Sequence, residues 1–284
     1  MAIAIERGST IFRKTERDLS RLSKGYQPEV VHNFRTTTRR LEVLLEQLAP
    51  DSGRNEKKLL KALGKIRKRA GRVRDLDVQL AALRSLKVPL EPRRKTQFTQ
   101  RLLELRVKQE KKLGKLLKKK DLREIQKRLQ RVPRSVDLNS TADPSAIAKK
   151  MIASVDRPKG RVDEEVLHSY RTVVKRARYA AEFAPKSEEA TRLVAQLKRL
   201  QDALGNWHDW LILTQTAEQH LGGINQSPLV AALQNVMRGK FRHAVAELSA
   251  NTSTATQTTL TITQTPYQPA GEKERTSKAA LNAA

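Results

Sequence analysis

The stretch Val31-His32-Asn33-Phe34-Arg35-Thr36-Thr37-Thr38-Arg39-Arg40 is written a second time, as Leu167-His168-Ser169-Tyr170-Arg171-Thr172-Val173-Val174-Lys175-Arg176. Both read apolar, His, any, aromatic, Arg, Thr, any, any, basic, Arg, at an offset of 136 residues. A second pair follows in the same order: Gly71-Arg72-Val73-Arg74-Asp75 and Gly205-Asn206-Trp207-His208-Asp209, at an offset of 134. Chance does not preserve both order and spacing, so the chain is a duplication of one unit.

Each unit reads as helices. Val31, Phe34, Thr38, Leu41, Leu45 and Leu48 recur at steps of three or four and fall within one arc of about 100° on a helix. In the second half Leu193, Leu197, Leu200, Leu204, Trp207 and Leu211 alternate steps of four and three, the spacing of a bundle seam. Prolines fence off eight stretches rich in Leu, Ala, Lys, Arg, Glu and Gln, and strand signals are nearly absent. The expected helices are 6–24, 29–49, 54–86, 93–131, 144–155, 162–184, 187–221 and 228–249, four in each half. The fold class is all-α, with helix on helix as its core. Residues 1–132 form the first repeat, 133–143 a linker, and 144–250 the second repeat, with Asp143-Pro144 as its first cap. The Thr-rich residues 251–284 are expected to be a disordered tail.

Charge narrows the function classes. The 284 residues carry 57 Lys and Arg against 30 Asp and Glu, a net charge of +27, which calls for a polyanionic partner. Residues 1–132 hold +22 of it and residues 133–250 only +4. Aromatic residues are 4% of the chain, which weakens the case for a platform that stacks single-stranded bases. With no Cys, thiol catalysis and Cys-ligated metals are excluded. There is no signal-peptide core at the N-terminus and no run of about 18 apolar residues, so a cytoplasmic protein without a membrane span is expected. No Gly-rich phosphate loop, dinucleotide fingerprint or nucleophile elbow is present.

Within each repeat, His32, Arg35 and Arg39, and again His168, Arg171 and Lys175, occupy i, i+3 and i+7 on one helix face. Such a ladder presents donors at intervals of about 5.4 Å, suited to a linear polymer charged at every unit. Arg grips phosphate oxygens through a planar fork and Lys as a point charge. Each motif histidine has two readings, a donor to phosphate or a core residue bonded to a backbone carbonyl. Arg67, Arg74 and Lys112 are further candidates from the basic stripes of the third and fourth helices. Asp75 and Asp77 diverge by about 200° on a helix and cannot share one metal ion. Asp75 and Asp209 are instead expected to orient basic residues such as Arg72 and Arg35. No metal or other cofactor is expected.

These motifs resemble the CHAD family, the conserved histidine α-helical domain. The resemblance rests on His32-x-x-Arg35 with Arg39-Arg40-Leu41, Arg74-Asp75-Leu76-Asp77-Val78, His168-x-x-Arg171 with Lys175-Arg176-x-Arg178-Tyr179, and Leu200-Gln201-Asp202-x-Leu204-Gly205 leading to His208-Asp209. It implies two four-helix bundles related by a pseudo-twofold axis, with a basic channel between them that binds inorganic polyphosphate without chemistry. It also implies association with polyphosphate granules and a polyphosphate-metabolising enzyme as a possible partner. Arg40, Arg176, Arg178 and His208 join the candidate ligands through it. Glu42 departs from the pattern, standing where the other half has Arg178, and is expected to pair with Arg39. The alternatives are a nucleic-acid-binding helical protein and, behind it, a polyphosphate-processing enzyme.

Overall fold

A computed structural model describes residues 5–49, 53–87, 92–134, 142–155, 162–223 and 227–262. Among the described residues there are nine α-helices and no strand. The first half contains α1 (Ile5–Leu22), α2 (Pro28–Val43), α3 (Arg54–Ser85), α4 (Pro92–Gly114) and α5 (Lys119–Arg131). The second contains α6 (Pro144–Ala153), α7 (Glu164–Ala181), α8 (Glu188–Leu221) and α9 (Pro228–Ile262).

The cap expected at Asp143 forms. Asp143 accepts from the Ser145 and Ala146 amides at 2.9 and 3.3 Å, with Pro144 in the first turn. The structure adds two caps of the same kind, Asp163 on α7 and Ser187 on α8, accepting from the amides of Val166 and Ala190. Gly222, at φ 84°, ends α8 in a conformation that a side chain would strain.

Two expectations change. The single helix expected over 93–131 is broken into α4 and α5, so the halves contain five and four helices. The break is a tight turn in which the amides of Leu116 and Leu117 donate to the carbonyls of Leu113 and Gly114. Gly114 lies against Tyr26, whose hydroxyl would stand 2.9 Å from a Cβ there, and Leu116 and Leu117 turn in onto the core. The second change is at the C-terminus. Helix α9 passes the expected boundary at 250 and runs to Ile262, since neither Gly nor Pro occurs between 240 and 265 to stop it. The rest of the expected tail, like most of the 133–143 linker, lies outside the described residues.

The core has three parts. One gathers α1, α2, the first part of α3 and α5 around Phe12, Phe34, Leu41 and Leu63. Its counterpart gathers α6, α7, the first part of α8 and the latter part of α9 around Tyr170, Val174 and Trp207. Between them, Leu80, Leu83 and Phe98 of α3 and α4 pack with Leu213, Leu229 and Leu233 of α8 and α9. The two repeats are thereby joined through apolar side chains.

The pseudo-twofold axis passes where α2 meets α7 and α3 meets α8. Its signature is a reciprocal pair of contacts. Arg40 Nε donates to Glu182 Oε2 at 2.6 Å, and Arg176 Nη2 stands 3.7 Å from Glu46 Oε2. Arg40 and Arg176 are repeat equivalents, and so are Glu46 and Glu182, as an isologous interface requires. Glu182 also accepts from Arg178 Nη1 at 2.9 Å, and the Arg40 and Arg178 guanidiniums both lie over the Tyr179 ring. Arg7 of α1 completes the junction by donating to the carbonyls of Glu182 and Ala184. Glu182→Ala leaves two half-buried guanidiniums without their carboxylate and is expected to cost about 2 kcal/mol of stability in urea unfolding.

Candidate polyanion-binding site

The ladder residues of the two halves meet. Arg35 and Arg39 of α2 and Arg171 and Lys175 of α7 are close enough to act on one another electrostatically, together with Arg67 and Arg74 of α3. Asp75 of α3 and Asp209 of α8 lie among them, each acted on by Arg171, Lys175 and Arg74. Asp75 is open to solvent yet surrounded by protein on most sides, as expected of a group on the floor of an open groove. The cluster thus sits where α2 meets α7 and α3 meets α8, and its solvent-facing side is the candidate groove.

Its electrostatics are those of desolvated like charges. Burial, reinforced by neighbouring cations, lowers the proton affinity of Arg35, Arg67 and Arg171. The same causes, burial first and then Arg171 and Arg35, bring Lys175 down to about 8. Burial raises the carboxyls of Asp75 and Asp209 against the pull of the surrounding arginines and Lys175. His208 is lowered to about 3 by burial and then by Arg171, so it is neutral at physiological pH. Arg171 Nε, Arg67 Nε and His208 Nδ1 are buried without a hydrogen-bond partner.

The motif histidines lie near the cationic cluster. His32 and His168 are exposed at its rim, not packed in the core. His32 lies near Arg74 and Arg35, and its proton affinity is lowered by partial burial and then by Arg74. The His168 ring stands 5.4 Å from that of His208. The repeat Thr is structural, since Thr36 and Thr172 return their hydroxyls to the carbonyls of His32 and His168.

Other candidates fall elsewhere. Arg40 and Arg178 are held by Glu182, and Arg176 faces Glu46, so these three serve the junction between the halves. Lys112 is exposed on α4 and is not among the charges acting on Arg35, Asp75 or Lys175. Asp75 acts on Arg35 as expected, but Arg72 is exposed and does not join them. Asp77 points to the other side of α3, where Arg106 Nε donates to it at 2.6 Å. Among the described residues no group of three or more His, Asp or Glu side chains is arranged to hold a metal ion.

Glu42 pairs with Arg39 at 3.5 Å, as expected, and more closely with Arg67 at 2.8 Å. Its repeat equivalent Arg178 donates at 2.8 Å to Gln201, the equivalent of Arg67. Donor and acceptor have exchanged helices between the repeats. The acidic residue thus positions Arg67, a partnership that a scan for basic residues alone passes over.

Gly71 is a second feature whose role appears only in three dimensions. A methyl group there would overlap the Arg35 guanidinium at Nη1, so the bare backbone of α3 is what lets Arg35 lie across it. Gly205, its equivalent, has nothing within 4 Å of a built Cβ. Gly71→Ala is expected to weaken polyanion binding about tenfold by displacing Arg35. Gly205→Ala is expected to raise stability by about 1 kcal/mol with binding unchanged. Calorimetric titration beside thermal unfolding of both variants checks the contrast.

The CHAD domain profile matches residues 9–218. The chain belongs to the CHAD family. Among solved structures, the CHAD domain from the plant Ricinus communis superposes with a TM-score of 0.56 at 17% identity, over 88% of each chain. PptA from Streptomyces chartreusis superposes with a TM-score of 0.61 at 14% identity, over 88% of this chain and 98% of its own. At these identities the likeness is one of fold. No curated protein matches this chain. Among the described residues no helix is long and apolar enough to cross a membrane.

Proposed function

We propose that this CHAD domain binds inorganic polyphosphate in the groove between its halves and performs no chemistry on it. The observation that carries the reading is the convergence of Arg35, Arg39, Arg67, Arg74, Arg171 and Lys175, drawn from both repeats, against Glu42, Asp75 and Asp209. Such an excess of partly desolvated cation is unfavourable in the free protein and is relieved by an anion of matching length.

Symmetry favours polyphosphate over nucleic acid. The groove is pseudo-twofold, and a polyphosphate chain reads the same from either end. A nucleic-acid strand has a direction, and its bases would need a stacking or edge-reading surface. The groove offers guanidiniums, an ammonium and imidazoles.

The mechanism is multivalent neutralisation with release of counterions. The five groove cations other than Arg67, which Glu42 holds most closely, imply that log K falls by about 4 per tenfold rise in salt, on the scale of other phosphate polymers. Competition between polyphosphate and RNA at matched phosphate concentration and salt tests the reading. Polyphosphate is expected to displace RNA, and the reverse order would favour the nucleic-acid alternative. Incubation with magnesium or manganese is expected to leave chain length unchanged, and shortening would assign a processing enzyme instead. In cells this binding would hold the cytoplasmic protein on polyphosphate granules, beside enzymes that make or consume the polymer. A tagged protein in phosphate-fed cells is expected to colocalise with granules, and the groove variants to disperse.

A further inference from the structure

The groove does not account for where most of the positive charge lies. Residues 1–132 carry +22, whereas their groove cations are Arg35, Arg39, Arg67 and Arg74, facing Glu42 and Asp75. A second concentration lies on α4 and the start of α5. Of the four carboxylates between residues 101 and 131, three are held by arginines, in the pairs Arg101–Glu104, Arg106–Glu110 and Arg128–Glu124. The lysines of this stretch are left facing solvent.

We propose that Lys108, Lys111, Lys112, Lys115, Lys118 and Lys119 form a second phosphate-polymer surface outside the groove. The proposal rests on polyphosphate being the ligand. All six are exposed: Lys108, Lys111 and Lys112 on the side of α4 away from Arg106 and Leu113, which face α3 and the core, and Lys115, Lys118 and Lys119 in the turn that follows and at the start of α5. From Lys108 to Lys112, three ammoniums fall within about 6 Å of helix rise. Lysine heads are flexible point charges that follow an irregular chain without demanding one geometry.

The surface also selects by what it lacks. The sole large apolar side chain exposed among the described residues is Val107, at 47%, so the face has no aromatic for stacking bases and no apolar patch for a membrane or a protein core. A linear phosphate polymer without bases is the partner that fits.

Its location suits a chain already in the groove. Helix α4 is tied to the segment before α2, since Arg106 Nη2 donates to the Tyr26 carbonyl at 2.8 Å and Gly114 abuts the Tyr26 hydroxyl. His32, at the groove rim, lies less than two helical turns further along the chain. A polymer leaving the groove beside His32 can therefore turn across the start of α2 onto α4. Engagement of both surfaces by one chain would raise affinity for long polymers without new contacts in the groove.

The test compares polyphosphate chains too short to span both surfaces with chains long enough to do so. It uses the full protein and the Lys108→Gln, Lys111→Gln, Lys115→Gln, Lys119→Gln quadruple variant. The wild type is expected to bind short chains in two classes, the weaker class disappearing in the quadruple variant while the tight class is unchanged. Long chains are expected to lose about tenfold or more in affinity in that variant, with a shallower salt dependence. An Arg35→Ala, Arg171→Ala variant is expected to keep the weak class and lose the tight one, which separates failure of the groove reading from failure of this one. A single class of sites in the wild type, or unchanged long-chain affinity in the quadruple variant, would overturn the second surface. So would a weak class that fills with RNA or anionic vesicles but not with polyphosphate.

Discussion

Replacing Arg35 and Arg171 together by alanine is expected to lower polyphosphate affinity by on the order of a hundred- to ten-thousand-fold while leaving the helical content intact. Each residue supplies a charge-assisted contact of about 1.5–3 kcal/mol, and two such contacts span that range. The two are repeat equivalents on α2 and α7, so the double variant weakens both walls of the groove at once. The fold is not expected to depend on them. Both guanidiniums are desolvated and surrounded by like charge, and the apolar seams of α2 and α7 are formed by other residues. Thermal unfolding is therefore expected to shift little, or upward. A variant that lost binding together with its helical signal would instead place these arginines in the support of the fold.

Lys175→Met is expected to weaken binding, to remove its pH dependence and to raise stability. In the free protein Lys175 titrates near 8, and a bound polyanion would raise that value. Affinity is then flat below about pH 8 and falls as pH rises above it, with proton uptake on binding in that window. The methionine variant is expected to bind about tenfold more weakly at pH 7 and to lose this fall. The stability sign follows from the unfolded chain, where lysine titrates near its ordinary 10.5. Between about 8 and 10.5 the unfolded state binds more protons, so stability rises with pH there, and the cost of the charged form is fully present below 8. Removing it is expected to stabilise the protein at pH 7 by about 1–2 kcal/mol, discounted for the solvent that reaches the group. Denaturant unfolding at pH 7 and pH 10, run beside titrations at pH 7 and pH 9, checks both halves.

The ladders were legible because three basic or His positions at i, i+3 and i+7 must share a helix face, and the repeat places the same face in both halves. Their neighbours were not. Arg40 stands one residue, about 100°, beyond Arg39, and that rotation carries it to Glu182. Residue type treats the two alike, and only the partner helix separates them. The repeat arithmetic held the missing signal, since Arg40 and Arg176 are equivalents and Glu46 and Glu182 are too.

The α4–α5 break was hidden for a different reason. Gly64, Gly71, Gly205 and Gly239 all lie inside continuous helices, so Gly114 in the sequence is no stop signal by itself. What ends α4 is tertiary: the Tyr26 hydroxyl against its last turn and the burial of Leu116 and Leu117 beyond it. The central core depended likewise on how α3 and α8 lie against α4 and α9, which helical periodicity alone does not encode.

The most direct measurement is the stoichiometry of the tight class of sites, read by calorimetry with polyphosphate of one defined length, for the wild type and for the Arg35→Ala and Arg171→Ala single variants. A single groove built from both repeats predicts one tightly bound chain per protein, and a loss of affinity for that chain in either variant. Two tight chains in the wild type, with one surviving unchanged in each single variant, would mean that the halves bind separately and would contradict the groove.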